Sequence, residues 1–187
     1  HLVVFAGHGI DESGAPPRFP AAAEDRARKL IAERLRRLQQ DLAEGERLTV
    51  LASAAPGADI LVHEVCAELG VESRLCLPMP PEAVARQAFA AADRWRTRFL
   101  VVVKAHEKDL LQLADDAELP RWLQGRPGVD PWERGNRWVM QLAQAWGAQR
   151  VTLLVLWDGQ DDGHTGGTAH MVRMARALGL FELDIID

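Results

Sequence analysis

Short, apolar, β-branched runs alternate along this chain with amphipathic helical stretches, and glycines punctuate the junctions. A buried strand followed by a helix, repeated, leaves few options: the strands pair in parallel and the helices cover both faces of the sheet. The runs Leu2–Ala6, Leu48–Ala52, Ser73–Pro78, Leu110–Ala114, Val151–Leu156 and Phe181–Ile186 predict the strands. Helical spacing predicts helices over Ala21–Ala43, Ala58–Leu69, from Pro81 past Trp95 to about His106, Arg134–Trp146 and Thr168–Leu178. Phe99–Val103 is the ambiguous run: its valines favour a strand, but its flanks continue a helical pattern, and helix is the reading adopted. Asp115–Glu133, with its prolines and tryptophans, reads as a long surface excursion. The expected fold is α/β, a doubly wound, mostly parallel Rossmann-like sheet of about six strands with helices on both faces. At 187 residues it is expected to form a single domain over 1–187. Because His1 falls directly inside a strand pattern, a piece of a longer protein with fused partner domains is expected.

Composition narrows the function classes. A net charge of −5 disfavours a broad cationic face for duplex nucleic acid, while leaving room for a local anion pocket. No apolar stretch approaches the roughly 20 residues that span a bilayer, so no membrane partner is expected. Cys66 and Cys76 lie in apolar runs without metal-type spacing and read as reduced core thiols, which predicts a cytoplasmic setting. His164 and His170 with Asp161 and Asp162 match no metal-binding spacing, so no metal site is assigned.

In doubly wound sheets ligands bind beyond the carboxyl ends of the strands, where helix N-termini present free N–H groups and partial positive charge. The turns that follow strands are therefore the candidates. After the first strand come Gly7-His8-Gly9, with Arg18 downstream as an anion partner. After the second come Ser53-Ala54-Ala55-Pro56-Gly57-Ala58-Asp59. Here Ser53, Ala55, Gly57 and Ala58 leave room for a ligand, and Asp59 either complements the helix dipole or accepts hydrogen bonds from a ribose. After the fifth come Trp157-Asp158-Gly159 and then Gly166-Gly167-Thr168, two glycines directly before a helix. Trp122 and Trp132 are read first as packing residues and second as a base-stacking lid.

Together, Phe5-Ala6-Gly7-His8 with Arg18-Phe19-Pro20, Ser53 to Asp59, and Leu156-Trp157-Asp158-Gly159 with Gly166-Gly167-Thr168 resemble the SLOG superfamily. These Rossmann-like domains include the lonely-guy phosphoribohydrolases, the DNA-processing protein DprA, and sensor domains fused to bacterial signalling and defence proteins. The resemblance implies a pocket for a nucleotide or nucleotide derivative, such as ADP-ribose or a cyclic nucleotide, that regulates an attached effector or an oligomer. The phosphoribohydrolase branch places a glutamate three residues beyond the threonine of its glycine turn, and here that position is Met171. Cleaving an N-glycosidic bond needs a positioned carboxylate, so the expectation leans to a noncatalytic ligand sensor. No cofactor is expected beyond the nucleotide-type ligand itself. Nucleotide N-glycosidase activity, with Asp59, Asp115 or Asp158 as substitute carboxylates, is the alternative.

Overall fold

The computed structural model describes residues 1–9, 19–89, 93–127, 129–161, 166–179 and 182–186. The strands are β1 (Leu2–Gly7), β2 (Thr49–Ala52), β3 (Glu72–Leu77), β4 (Leu111–Gln112), β5 (Val151–Leu156) and β6 (Glu182–Ile186). They form one sheet in the order β4-β3-β2-β1-β5-β6, and every pairing is parallel. The helices are α1 (Glu24–Gln40), α2 (Ala58–Leu69), α3 (Pro81–Ala88), α4 (Asp93–Ala105), α5 (Pro131–Ala145) and α6 (Thr168–Leu178). The fold is thus Rossmann-like α/β, as the alternating pattern predicts.

Strand pleating sends successive side chains to opposite faces, and the core divides accordingly. Val3, Phe5, Val50, Leu75 and Leu154 join the cluster under α1, α2 and α4. Leu2, Val4, Leu51, Leu153 and Val155 join the cluster with α5 and α6, anchored by Val139, Met140, Met171 and Val172. With both faces covered, the strands read as continuous apolar runs rather than alternating ones. Fully burying each such side chain contributes roughly 1.5–3 kcal/mol.

From β1 to β4 the chain steps outward strand by strand. It then returns through α5 to lay β5 against the other side of β1, with Leu2 to Gly7 in register with Val151 to Leu156. Strand order therefore reverses between β1 and β5, which places the topological switch point at the ends of those two strands.

Several boundaries differ from the expectation. The first helix is preceded by a 3-10 turn at Ala21–Ala23 and ends at Gln40, not Ala43. The long helix expected from Pro81 is two helices. α3 ends at Ala88, where Phe89 (φ −123°, ψ 20°) leaves the helical region and buries its ring against Phe99 at 4.9 Å. Phe99–Val103 is helical, within α4. β4 is only Leu111–Gln112. α5 begins at Pro131 rather than Arg134, because Asp130 caps it by accepting the Trp132 and Glu133 N–H groups at 2.8 and 2.9 Å.

Candidate functional site

A cavity of about 210 Å³ opens at the switch point. Its floor is the end of β1, where Ala6, Gly7, His8 and Gly9 present mostly backbone. One wall is the β2–α2 turn, with Ala55 and Asp59, and the opposite wall is Gly166, Gly167 and Thr168 at the start of α6. Eight sequence-predicted positions from three separate turns thus converge. Sequence reasoning missed Asn136, which α5 contributes and whose side-chain amide donates to the Gly167 carbonyl at 3.4 Å. It also missed Ala169, and it identified Met171 as a departure from a motif without placing it in the wall.

Gly7 lets the first wall close on the floor. A Cβ built there would lie 2.3 Å from the Ala58 Cβ. With no side chain in the way, the Gly7 N–H donates to Asp59 Oδ1 at 3.1 Å and the Ala58 N–H to the His8 carbonyl at 3.2 Å. Gly57 adopts φ 120° and ψ −131°, conformational space that suits glycine, and bridges antiparallel to Gly9. Gly57 and Ala58 therefore shape the cavity from behind.

The two helices that begin beside the cavity lack side-chain caps. No side chain caps α2 at Gly57 or α6 at Gly167, in contrast to the Asp130 cap of α5. A helix N-terminus leaves its first N–H groups without intrahelical partners. The α6 end, lining the cavity through Gly167, Thr168 and Ala169, supplies donors and partial positive charge without a Lys or Arg among the described lining residues. At the α2 end, by contrast, the Ala58 N–H is taken by the His8 carbonyl and the Ile60 and Leu61 N–H groups by the Gly57 carbonyl.

Asp59 is the carboxyl group in the wall. It is buried at 8% exposure, and both oxygens accept backbone N–H groups, from Gly7 and, at 3.4 Å, from Ala55. Burial pushes its pKa up to about 7, against the opposing pull of those two N–H groups. Asp59 thus clamps the β2–α2 turn to β1 rather than offering a free edge to a ribose. His8 sits at the other rim, where its Nε2 lies 3.1 Å from the Asp158 N–H and 3.1 Å from Asp158 Oδ1. Asp158 also accepts the Gln160 N–H at 2.9 Å.

Trp157 and Asp158 do not line this cavity. They line a neighbouring one of about 160 Å³ on the α1 side, with Phe19, Ala27 and Leu156, and His8 borders both. Ser53 lines neither, its carbonyl being held by His63 Nε2 at 3.0 Å. Arg18, His164, Asp162 and Phe181 lie outside the described residues. His170 accepts the Gly166 N–H at 3.3 Å, which ties down the glycine turn, and burial lowers its pKa. Among the described residues no group of His, Cys, Asp and Glu is arranged to hold a metal ion. No described helix is long and apolar enough to cross a membrane. Trp132 packs partly buried against the core, whereas Trp122 is 68% exposed and lines a different cavity, with Leu113, Glu133 and Trp138.

No family model matches the chain, and no curated protein matches it.

Proposed function

We propose that the chain binds a nucleotide or nucleotide-derived anion in the switch-point cavity and acts as a noncatalytic sensor of the SLOG type, regulating an attached effector or an oligomer. The observation that carries this reading is the uncapped N-terminus of α6, which lines the cavity at Gly167 and Thr168 opposite the Gly7-His8-Gly9 turn. Such an arrangement stabilises a phosphate through N–H donors and the helix dipole, with glycines permitting close approach. Among the described lining residues no carboxylate is free, which supports binding without chemistry. Met171 is apolar, Asp59 is engaged by two N–H groups, and Asp158 faces His8.

Thermal-shift screening against nucleoside monophosphates, cyclic dinucleotides and ADP-ribose tests this reading. A ligand present at 100 times its Kd stabilises by about 2.7 kcal/mol, so one member of the panel should raise Tm by several degrees. Well-folded protein that shifts with none of them would overturn the proposal.

One observation favours the alternative, a nucleotide N-glycosidase. Asp59 is a cavity-lining carboxyl group whose pKa of about 7 suits proton transfer near neutrality. Chromatography of the same samples distinguishes the two. Release of free base that disappears in Asp59→Asn supports the enzyme, and intact nucleotide supports the sensor.

A further inference from the structure

Behind the β2–α2 turn, three polar side chains from three elements meet: His63 of α2, Ser73 of β3 and His106 just past the end of α4. His63 Nε2 lies 3.0 Å from the Ser53 carbonyl, and His63 Nδ1 lies 3.2 Å from Ser73 Oγ. Ser73 Oγ is 3.0 Å from His106 Nε2, and His106 Nδ1 is 2.9 Å from the Val102 carbonyl. The rings meet edge to face with centroids 5.0 Å apart.

The chain of contacts has a fixed proton requirement. Both of its ends are carbonyl oxygens, which only accept, so four contacts require four protons. Two neutral imidazoles supply one N–H each and the serine supplies one O–H, which leaves the set one proton short. Every neutral arrangement therefore sets two lone pairs against each other at about 3 Å, a part-buried mismatch that disfavours the neutral set. A single added proton satisfies all four contacts. His106 Nε2 then donates to Ser73, Ser73 donates to His63 Nδ1, and His63 Nε2 donates to the Ser53 carbonyl.

The position of each ring decides which one takes the proton. His63 is 2% exposed, and burial together with the neighbouring His106 pushes its pKa down to about 4, so it stays neutral. His106 is half-buried and follows the last residue of α4, where the carbonyl end of the helix dipole favours a cation. We infer that His106 holds the extra proton and that its imidazolium, acting through Ser73 and His63 as positioning residues, locks the Ser53 carbonyl and makes the β2–α2 turn responsive to pH.

Of the charged groups around the cluster, Asp59 on α2 also bears on the turn, because it accepts the Ala55 N–H and burial pushes its pKa up to about 7; the others do not compete for this role. On α2, Glu64 is paired with Arg28 and Arg98, and these arginines hold its pKa below the ordinary value. On β3, Arg74 is paired with Glu72 and with Asp109. In the last turn of α4, Lys104 is paired with Glu107. Cys66 and Cys76, on α2 and β3, are pushed up to about 12 by burial and remain thiols.

The test does not depend on any ligand. Imidazole and amide 15N spectra of the full chain carrying Asp59→Asn, which removes the Asp59 titration from the turn amides, are recorded from pH 5.5 to 8.5, and the further substitutions are made in that background. At the acid end both His106 nitrogens should be protonated, with His63 protonated at Nε2 alone. As pH rises, the His63 ring nitrogens and the Ala54 and Ala55 amides should move with the midpoint of His106. In Ser73→Ala, His106 should still titrate, but His63 and the turn amides should no longer follow it. In His106→Gln, His63 and the turn amides should show no titration over the range. The inference is overturned if His106 carries one ring proton throughout the range, or if the turn amides respond to pH alike with and without Ser73→Ala in the Asp59→Asn background.

Discussion

Gly7→Ala is the substitution that most directly probes how the cavity is built. The added Cβ would stand 2.3 Å from the Ala58 Cβ, 3.3 Å from Phe5 Cε1 and 3.4 Å from the Leu156 Cβ. Ordinary carbon–carbon contact begins near about 3.5 Å, so the start of α2 would have to withdraw from β1 by more than about 1 Å. The three groups it meets all belong to rigid, buried parts of the core and cannot swing aside. Overpacking of this kind costs about 1–3 kcal/mol, and the withdrawal also strains the Gly7-to-Asp59 and Ala58-to-His8 hydrogen bonds. A loss of about 3 kcal/mol is therefore expected, which for a chain of this length lowers Tm by roughly 6–12 °C. The double variant Gly7→Ala, Ala58→Gly removes the closest contact and should recover most of the loss, less about 0.5–1 kcal/mol for a glycine in a helix. Urea denaturation of the wild type and the two variants measures all three stabilities. A Gly7→Ala protein within 0.5 kcal/mol of wild type, or a double variant no more stable than the single one, would refute the close-approach argument.

Other consequences follow from the buried and capping groups. The folded state holds the Asp59 proton between the group's ordinary value of 3.8 and about 7, while the unfolded chain releases it, so this group's contribution to stability falls as pH rises through that window. The stability of wild type minus that of Asp59→Asn should therefore decline by up to about 4 kcal/mol from pH 4 to pH 7.5, and a difference that rises would contradict the assignment of burial as the dominant cause. Asp130→Ala removes the acceptor for the Trp132 and Glu133 N–H groups and should cost about 0.5–2 kcal/mol in urea titrations. An unchanged midpoint would mean that the α5 cap is not formed in solution.

Much of this fold is legible in the sequence because each strand buried on both faces must be a short apolar run. β1, β2, β3 and β5 accordingly fall within one residue of their expected limits. The failures have local causes. Leu110–Ala114 offers five strand-like positions, but Leu111 and Gln112 alone pair with β3 at the sheet edge, and an edge pairing is set by the neighbour rather than by propensity. The expected 81–106 helix breaks because the Phe89 ring is drawn into the core beside Phe99, a tertiary demand that helical spacing does not encode. The start of α5 did carry a signal: Asp130-Pro131 is an N-cap followed by a proline at the first helical position, and the surrounding loop-like composition masked it.

At the site, turns after strands were readable as a class, which is why residues near 7, 57 and 167 meet. Individual roles were not. Asp59 faces inward to clamp β1 because Gly7 leaves it room, a relation between positions that are distant in sequence. Asn136 reaches the cavity from mid-helix α5, with no turn or motif to mark it. The His63–Ser73–His106 chain likewise joins residues that share no motif and meet only through the packing of α2, β3 and α4.

Calorimetric titration of Gly167→Asp beside wild type, against the same nucleotide panel, tests the central claim most directly. Gly167 is the N-cap of α6 at φ −95°, and a Cβ there meets nothing within 4 Å. Aspartate is a favoured N-cap residue, so the variant should be at least as stable as wild type. Its carboxylate, however, would occupy the helix end assigned to the ligand's anionic group. The account predicts saturable binding to wild type and its loss in the equally stable variant. Undiminished binding in Gly167→Asp, or no binding to wild type across the panel, would contradict it.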